Sequence, residues 1–167
     1  AHIPLNFLKE GTVAAYVDTG AWSLKAIKEA QNIGNVHLAA SSKDGGYTHI
    51  PMGNEIDYPK DAAYLHLTSN NTIKGTQYHE FPDTYSVPLI CDMSSDILSH
   101  EMNFNQFSML YAGAQKNLGP SGVTLIVIRD DLLGRINDKL PTIFDYRTHT
   151  EKKSLFNTPP SFTIYIV

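Results

Sequence analysis

Short apolar segments, spaced at helix-length intervals, recur along the 167-residue chain. Their apolar and β-branched content is typical of buried strands. The pattern predicts six strands, at Thr12–Val17, Val36–Ser41, Ala62–Thr68, Val87–Asp92, Met109–Tyr111 and Val123–Arg129. Such strands, alternating with helices, favour an α/β layer fold with a mostly parallel sheet.

The helical pattern is clearest at Trp22–Gln31, where four apolar residues can share one face. Asp130–Ile136 begins like a helix, since two acidic residues stand in its first turn. Residues 2–10 fit either the tail of a helix or a connector. The polar stretch Asp145–Pro160 predicts a loop.

Polar residues follow four of these strands directly. In open α/β sheets the carboxyl ends of parallel strands form the ligand crevice. That rule selects Asp18–Trp22, Ser69–Thr72, Asp92–Ser95 and the loop around Lys116. The four segments are therefore expected to meet at one edge of the sheet.

The loop around Lys116 lies in Tyr111–Gly122, where a single long cationic side chain stands among small residues. Gly119, Pro120 and Gly122 predict a tight turn, and small neighbours let a flat group approach the backbone. A lysine in this setting can be a structural cation, a phosphate ligand, or an amine that forms a Schiff base with a carbonyl.

Composition narrows the class of protein. With 42% hydrophobic and 18% charged residues and a formal net charge of −4, the chain has the make-up of an ordinary globular domain. The charge gives no reason to expect a nucleic-acid partner, and no apolar run or signal peptide indicates a membrane. The only cysteine, Cys91, cannot form an internal disulfide, which fits a reducing compartment.

Histidine spacing predicts no metal site, and His66 is expected to be a core or solvated residue. The chain starts with Ala-His-Ile-Pro and ends in the apolar run Ile-Tyr-Ile-Val. We therefore expect a fragment of a longer protein.

The predicted crevice contains an amine (Lys116), a carboxylate (Asp92), an indole (Trp22) and several hydroxyl and amide groups. A flat heteroaromatic aldehyde carrying a phosphate would use each of these groups. The amine binds the aldehyde, the carboxylate keeps a ring nitrogen protonated, and the indole stacks on the ring. Pyridoxal 5'-phosphate (PLP) has this chemistry.

Five motifs carry a family resemblance: YVDTGAWSLKAIKEA, NNTIKGT, CDMSSDILS, YAGAQKNLGPSGVTLIVIR and LFNTPPSFTIY. Together they resemble the phosphoserine aminotransferases, which are fold-type I PLP enzymes of serine biosynthesis. The resemblance implies a three-layer αβα sandwich with a mostly parallel mixed sheet, in which residues 1–167 form the PLP-binding large domain. It also implies a cytoplasmic homodimer that converts 3-phosphohydroxypyruvate and L-glutamate to O-phospho-L-serine and 2-oxoglutarate.

The same resemblance implies roles for single residues. Lys116 would be the lysine that binds the cofactor covalently, and Asp92 the partner of the pyridine nitrogen. Trp22 would stack on the ring, Thr72 would bond its 3-oxygen, and Gln115 would bind the phosphate.

Asn157 and Thr158 resemble the pair that reaches across the family's dimer interface to the other subunit's cofactor phosphate. Asp18 and Ala21 depart from the Asn and Ser that are frequent in the family. Two parts of the family site have no counterpart in the chain. One is an upstream turn that binds the cofactor phosphate, and the other is a set of His and Arg residues that bind substrate.

Other interpretations remain open from the residues alone. Asp92 could simply cap a turn, Trp22 could be a core residue, and Thr72 could be a turn hydroxyl. Another fold-type I enzyme, such as an alanine–glyoxylate aminotransferase or a cysteine desulfurase, would keep Lys116 and Asp92. A non-catalytic fragment that binds no cofactor is a third possibility. A nicotinamide-dependent reductase fits worse, because no glycine-rich fingerprint follows the first strand.

Overall fold

A computed structural model describes all 167 residues. Its eight strands are β1 (Val13–Asp18), β2 (Asn35–Ser41), β3 (Leu65–Thr68), β4 (Asn70–Asn71), β5 (Thr76–Gln77), β6 (Leu89–Asp92), β7 (Met109–Gly113) and β8 (Thr124–Ile128). Its five helices are α1 (His2–Phe7), α2 (Ala21–Gln31), α3 (Asp130–Leu133), α4 (Tyr146–Glu151) and α5 (Ser161–Ile166).

Six of the strands form one sheet in the order β2-β1-β3-β6-β7-β8. All neighbouring pairs are parallel except β7 with β8, which run antiparallel. The six predicted strands are these six, and the predicted mostly parallel α/β sheet is confirmed. Because β1, β3, β6 and β7 point the same way, their carboxyl ends share one edge of the sheet.

The core lies on both faces of this sheet, since alternate residues of a strand point to opposite sides. On one face, Tyr16, Ile90 and Met109 pack with apolar residues of α1 to α4. On the other face, Leu67 and Cys91 pack with residues of the long connections between strands. Burial on both sides explains why these strands read as nearly continuous apolar runs.

The sequence-based prediction was wrong for the stretch Asp145–Pro160, which contains helix α4. Asp145 caps this helix by accepting a hydrogen bond from the Arg147 backbone N–H at 2.8 Å. Tyr146, in its first turn, is buried against the ring of Phe7. A single buried residue in a polar segment leaves no helical period to detect.

Three further elements were not predicted as such. The first is α1 at His2–Phe7, within the stretch that fitted either a helix tail or a connector. The second is the hairpin formed by β4 and β5, whose strands have only two residues each. The third is α5 at the end of the chain. None of the helices is both long and apolar enough to cross a membrane.

Candidate active site

A cavity of about 270 Å³ opens at the carboxyl edge of the sheet. Its wall includes ends of β1, β3, β6 and β7, the start of α2, and the loop after β7. The polar and aromatic lining residues that matter here are Tyr16, Trp22, His66, Thr68, Asp92, Ser94, Tyr111, Gln115 and Lys116. All four segments that the strand-end rule selected contribute residues to this cavity.

Trp22 is held at the first turn of α2. The residue before the helix is Gly20, which has no side chain with which to cap it. The cap comes instead from Asn71, whose Oδ1 accepts hydrogen bonds from the backbone N–H groups of Trp22 (3.0 Å) and Ser23 (3.2 Å). The Trp22 side chain is 39% exposed, so its ring is open to a ligand.

Asp18 supports the same turn from beneath. Its Oδ1 accepts hydrogen bonds from the Gly20 backbone N–H at 3.3 Å and the Ser23 hydroxyl at 3.0 Å. Its Oδ2 accepts from the hydroxyls of Ser41 and Tyr47. The buried carboxylate is therefore satisfied by four donors and needs no cation.

Lys116 reaches towards Trp22 and Thr72. Its Nζ lies 5.4 Å from the centre of the Trp22 ring and donates a hydrogen bond to Thr72 Oγ1 at 3.2 Å. The same Thr72 oxygen accepts a hydrogen bond from Trp22 Nε1 at 3.1 Å. One hydroxyl thus links the indole to the only amine at the loop after β7.

Asp92 ends β6 and is half-buried in the cavity wall. Its Oδ1 accepts hydrogen bonds from the backbone N–H of Ser94 (3.0 Å) and from the Ser94 hydroxyl (2.6 Å). The Ser94 hydroxyl in turn accepts from the Gly113 N–H at 3.1 Å, which fixes it to the end of β7. Asp92 therefore caps the turn after β6 through Oδ1, while its side chain lines the cavity.

Two buried rings, Tyr16 and His66, and the half-buried ring of Tyr111 line the same cavity as Asp92. His66 Nε2 is 3.0 Å from the Tyr111 hydroxyl, and the imidazole stacks on Tyr16 at a centroid distance of 4.8 Å. Burial lowers the pKa of His66 to about 4, although the Asp92 carboxylate opposes that shift. Burial, reinforced by the same carboxylate, raises the pKa of Tyr111 well above its ordinary value. Both groups are therefore neutral near pH 7.

The structure brings together most of the residues selected from the sequence. Trp22, Asp92, Gln115 and Lys116 line the cavity, and Thr72 is bonded to two of them. Asn157 and Thr158 do not line it and are exposed.

Sequence reasoning missed Tyr16, His66, Thr68 and Tyr111 as parts of the site. Strand pairing places them beside one another: Tyr16 pairs with His66, Thr68 with Asp92, and Asp92 with Tyr111. The signal that could have found them is the alternation of side chains back from each strand end, once the strand order is known.

Known proteins similar to this chain are aminotransferases. The family model described as aminotransferase class-V matches residues 1–167. Phosphoserine aminotransferase of Geobacillus kaustophilus is 59% identical over 165 residues, which cover 99% of this chain and 46% of that protein. The chain thus spans about half the length of the curated relatives it matches.

Solved structures give the same result. A phosphoserine aminotransferase from Bacillus circulans subsp. alkalophilus superposes with a TM-score of 0.95 at 58% identity, covering 99% of this chain and 46% of that one. A PLP-bound phosphoserine aminotransferase from Trichomonas vaginalis superposes with a TM-score of 0.85 at 34% identity, covering 98% and 47%.

Proposed function

The chain belongs to the class-V aminotransferases, and from that premise we propose that it is the cofactor-binding large domain, residues 1–167, of a PLP-dependent phosphoserine transaminase. The reaction transfers the amino group of L-glutamate to 3-phosphohydroxypyruvate. Its products are O-phospho-L-serine and 2-oxoglutarate.

One observation carries this proposal. The Lys116 amine lies over the exposed Trp22 ring and against the Thr72 hydroxyl, in the same cavity as Asp92. A covalent anchor, a stacking surface, a hydroxyl donor and a carboxylate are the groups that a pyridine aldehyde requires. Solvated lysines on loops have no reason to be surrounded by this set.

The residues of the cavity wall fit the cofactor. His66 Nδ1 and Thr68 Oγ1 are buried in that wall and have no hydrogen-bond partner within the chain. Buried polar atoms normally have a partner, so a polar ligand or ordered water is expected beside them. Asp92 lines the same cavity. These polar atoms of the cavity wall therefore fit a ring that carries polar groups at its edges.

Bound in this cavity, PLP supplies an electron sink for charge that develops at the substrate α-carbon. Lys116 would hold the cofactor through its amine, and the same amine would move the proton at the substrate α-carbon. Asp92 holds a proton at the pyridine nitrogen, which keeps the ring electron-poor. Trp22 and Thr72 orient the ring, and Gln115 donates to the phosphate.

The functional unit is a homodimer in the cytoplasm. Asn157 and Thr158 lie outside the cavity of their own chain, which supports a role at the cavity of a second copy. Exposed apolar side chains on α5, such as Phe162 and Tyr165, give that contact an apolar surface.

Lys116→Ala in the intact protein tests the function, with Lys74→Ala as the matched control. Lys74 is an exposed lysine in the turn that joins β4 and β5, and it does not line the cavity. We expect Lys116→Ala to abolish the absorbance band of the lysine-bound cofactor and the glutamate–phosphohydroxypyruvate activity, and Lys74→Ala to keep both.

The same assay separates the proposed reaction from its rivals. Alanine–glyoxylate transamination or sulfur release from cysteine at a higher rate than the phosphohydroxypyruvate reaction would assign a different fold-type I enzyme. Failure of the wild-type protein to bind PLP would favour a non-catalytic domain.

A further inference from the structure

Asn71 is a fully buried residue that the mechanism above does not use. Its side-chain oxygen accepts hydrogen bonds from the backbone N–H groups of Trp22 and Ser23, at 3.0 and 3.2 Å. Its side-chain nitrogen donates to the Thr19 hydroxyl at 2.9 Å. All of these partners are about fifty residues away in the sequence, so one amide joins two distant segments.

The hairpin that carries Asn71 is fixed to the same turn by a second bond. Asn71 of β4 pairs with Thr76 of β5, and the Thr76 hydroxyl donates to the Thr19 backbone oxygen at 2.5 Å. Thr72, the residue that contacts Lys116, comes directly after Asn71 at the tip of this hairpin. The position of Thr72 therefore depends on how the hairpin is fixed to the turn.

The turn that contains Gly20 packs closely against Asn71 of the hairpin. A Cβ atom built on Gly20 would lie 2.8 Å from Cβ and Cγ of Asn71. No side chain at position 20 fits in this space, so Gly20 and Asn71 form a matched pair. The backbone N–H groups in the first turn of a helix have no partner within the helix. In α2 two of them are capped by the distant Asn71, because Gly20 at the N-cap has no side chain.

We propose that Asn71 is a positioning residue of the active site, which sets the distance between the Trp22 indole and the Thr72 hydroxyl. This inference rests on the proposed function, because it assigns these two groups to one bound ring. With Asn71 in place, the start of α2 and the hairpin act as one rigid unit. Without it, each group moves with its own segment, and displacements of about 1 Å cost catalysis roughly a hundredfold.

The experiment compares Asn71→Ala with Asn71→Asp in the intact protein. Tryptophans are labelled with 5-fluorotryptophan, and the Trp22 resonance is identified by its loss in Trp22→Phe. Asp keeps the oxygen that accepts from Trp22 and Ser23 but cannot donate to Thr19. We expect Asn71→Ala to shift or broaden the Trp22 ¹⁹F resonance without cofactor, and to weaken PLP binding by about tenfold or more. Asn71→Asp should lie between Asn71→Ala and the wild type in both measurements.

Asn6→Ala is the matched control for lost stability. Asn6 is also fully buried, and its amide bonds to the backbone of His2, Phe144 and Tyr146. We expect its replacement to lower the melting temperature while the Trp22 resonance and the PLP affinity stay within about twofold of wild type.

Unchanged Trp22 resonance and PLP affinity in Asn71→Ala would overturn the inference, as would equal losses in Asn6→Ala. If Asn71→Ala does not fold, Thr19→Val replaces it, because this variant removes only the hydrogen bond from the Asn71 amide to the Thr19 hydroxyl. The inference then requires that Thr19→Val shift the Trp22 resonance, and an unchanged resonance would overturn it. Because this resonance is read without cofactor, the inference can fail or stand independently of whether the wild-type protein binds PLP.

Discussion

The Asp92 carboxylate is held in place by hydrogen bonds. Oδ1 accepts hydrogen bonds from the backbone N–H and the hydroxyl of Ser94, which hold the carboxylate in the cavity wall. A fixed carboxylate costs no reorganisation when charge develops on a bound ring, which is how preorganised electrostatics speeds a reaction. The turn-capping role of Asp92 is thus compatible with its proposed role beside the ring nitrogen.

Asp92→Asn keeps the size of the side chain and an oxygen that can accept from Ser94, but it removes the charge. We expect kcat to fall by about 10²- to 10³-fold, because the ring nitrogen loses its anionic partner. Steady-state kinetics of the intact protein checks this, with the exposed Asp61→Asn as control. A kcat within threefold of wild type for Asp92→Asn would contradict the assigned role.

His66 is buried and neutral between Tyr16, Tyr111 and Asp92. Its pKa is about 4 in the folded chain, below the ordinary value of about 6.5 that applies when the chain is unfolded. Between these two values the unfolded state binds a proton that the folded state does not. The contribution of neutral His66 to the free energy of unfolding is therefore fully present above pH 6.5, and it is lost as the pH falls towards 4.

We therefore expect the free energy of unfolding to fall by about 2 kcal/mol from pH 7 to pH 5. His66→Gln should lack this loss, because glutamine does not titrate. Denaturant unfolding of both proteins at the two pH values measures the difference. A direct check is the imidazole ¹⁵N shift of His66. Titration of that shift with a midpoint near pH 6.5 would refute the buried neutral state.

At the scale of elements, the site depends on the turn between β1 and α2. Gly20 has a φ of +156° and leaves no space for a Cβ next to Asn71. Gly46 also has a positive φ, +70°, but has nothing within 4 Å of the Cβ position. Replacing each glycine with alanine therefore distinguishes the cost of backbone strain, which both share, from the cost of steric overlap, which only Gly20 has.

Gly20→Ala is expected to destabilise the fold by about 2 kcal/mol or more, because it adds a clash to backbone strain. Gly46→Ala should cost only about 1 kcal/mol from the strain alone. Chemical denaturation of the two variants measures both values. Equal losses for the two glycines would mean that the contact with Asn71 is not tight.

The sheet was predictable because its strands are buried on both faces, so each appears as an apolar run. The polar ends of those runs then located Trp22, Asp92 and Lys116. Asn71 was not predictable as the cap of α2, because nothing local relates a hairpin residue to a helix about fifty residues earlier. His66 had no local signal either, since its place beside Asp92 follows from strand order and register.

At the scale of the whole molecule, the last part of the chain presents apolar groups to solvent. Phe162 and Tyr165 of α5 are 77% and 84% exposed, and Val127 of β8 is 49% exposed. Val167 and Thr163 approach Gly119 and Gly122, so α5 lies against the turn that follows Lys116. A second copy that binds at this end would lie beside the loop that contains Lys116.

The proposed homodimer predicts complementation between two inactive chains. Lys116→Ala lacks the anchor, and Asn157→Ala lacks the residue supplied to the other cavity. In a mixed dimer one site contains both defects and the other contains none. Random pairing makes about half of the dimers mixed, so about a quarter of all sites are intact. Activity after co-expression measures this. No activity above that of the separate variants would place Asn157 in its own chain's site or outside both.

The proposed function depends above all on Lys116 as the covalent anchor of PLP. The most direct test is to reduce the PLP-loaded protein with borohydride, digest it, and locate the phosphopyridoxyl group by mass spectrometry. We expect one modified lysine, Lys116, and no stable modification in Lys116→Ala. Modification of another lysine, or of none, in the wild-type protein would contradict it.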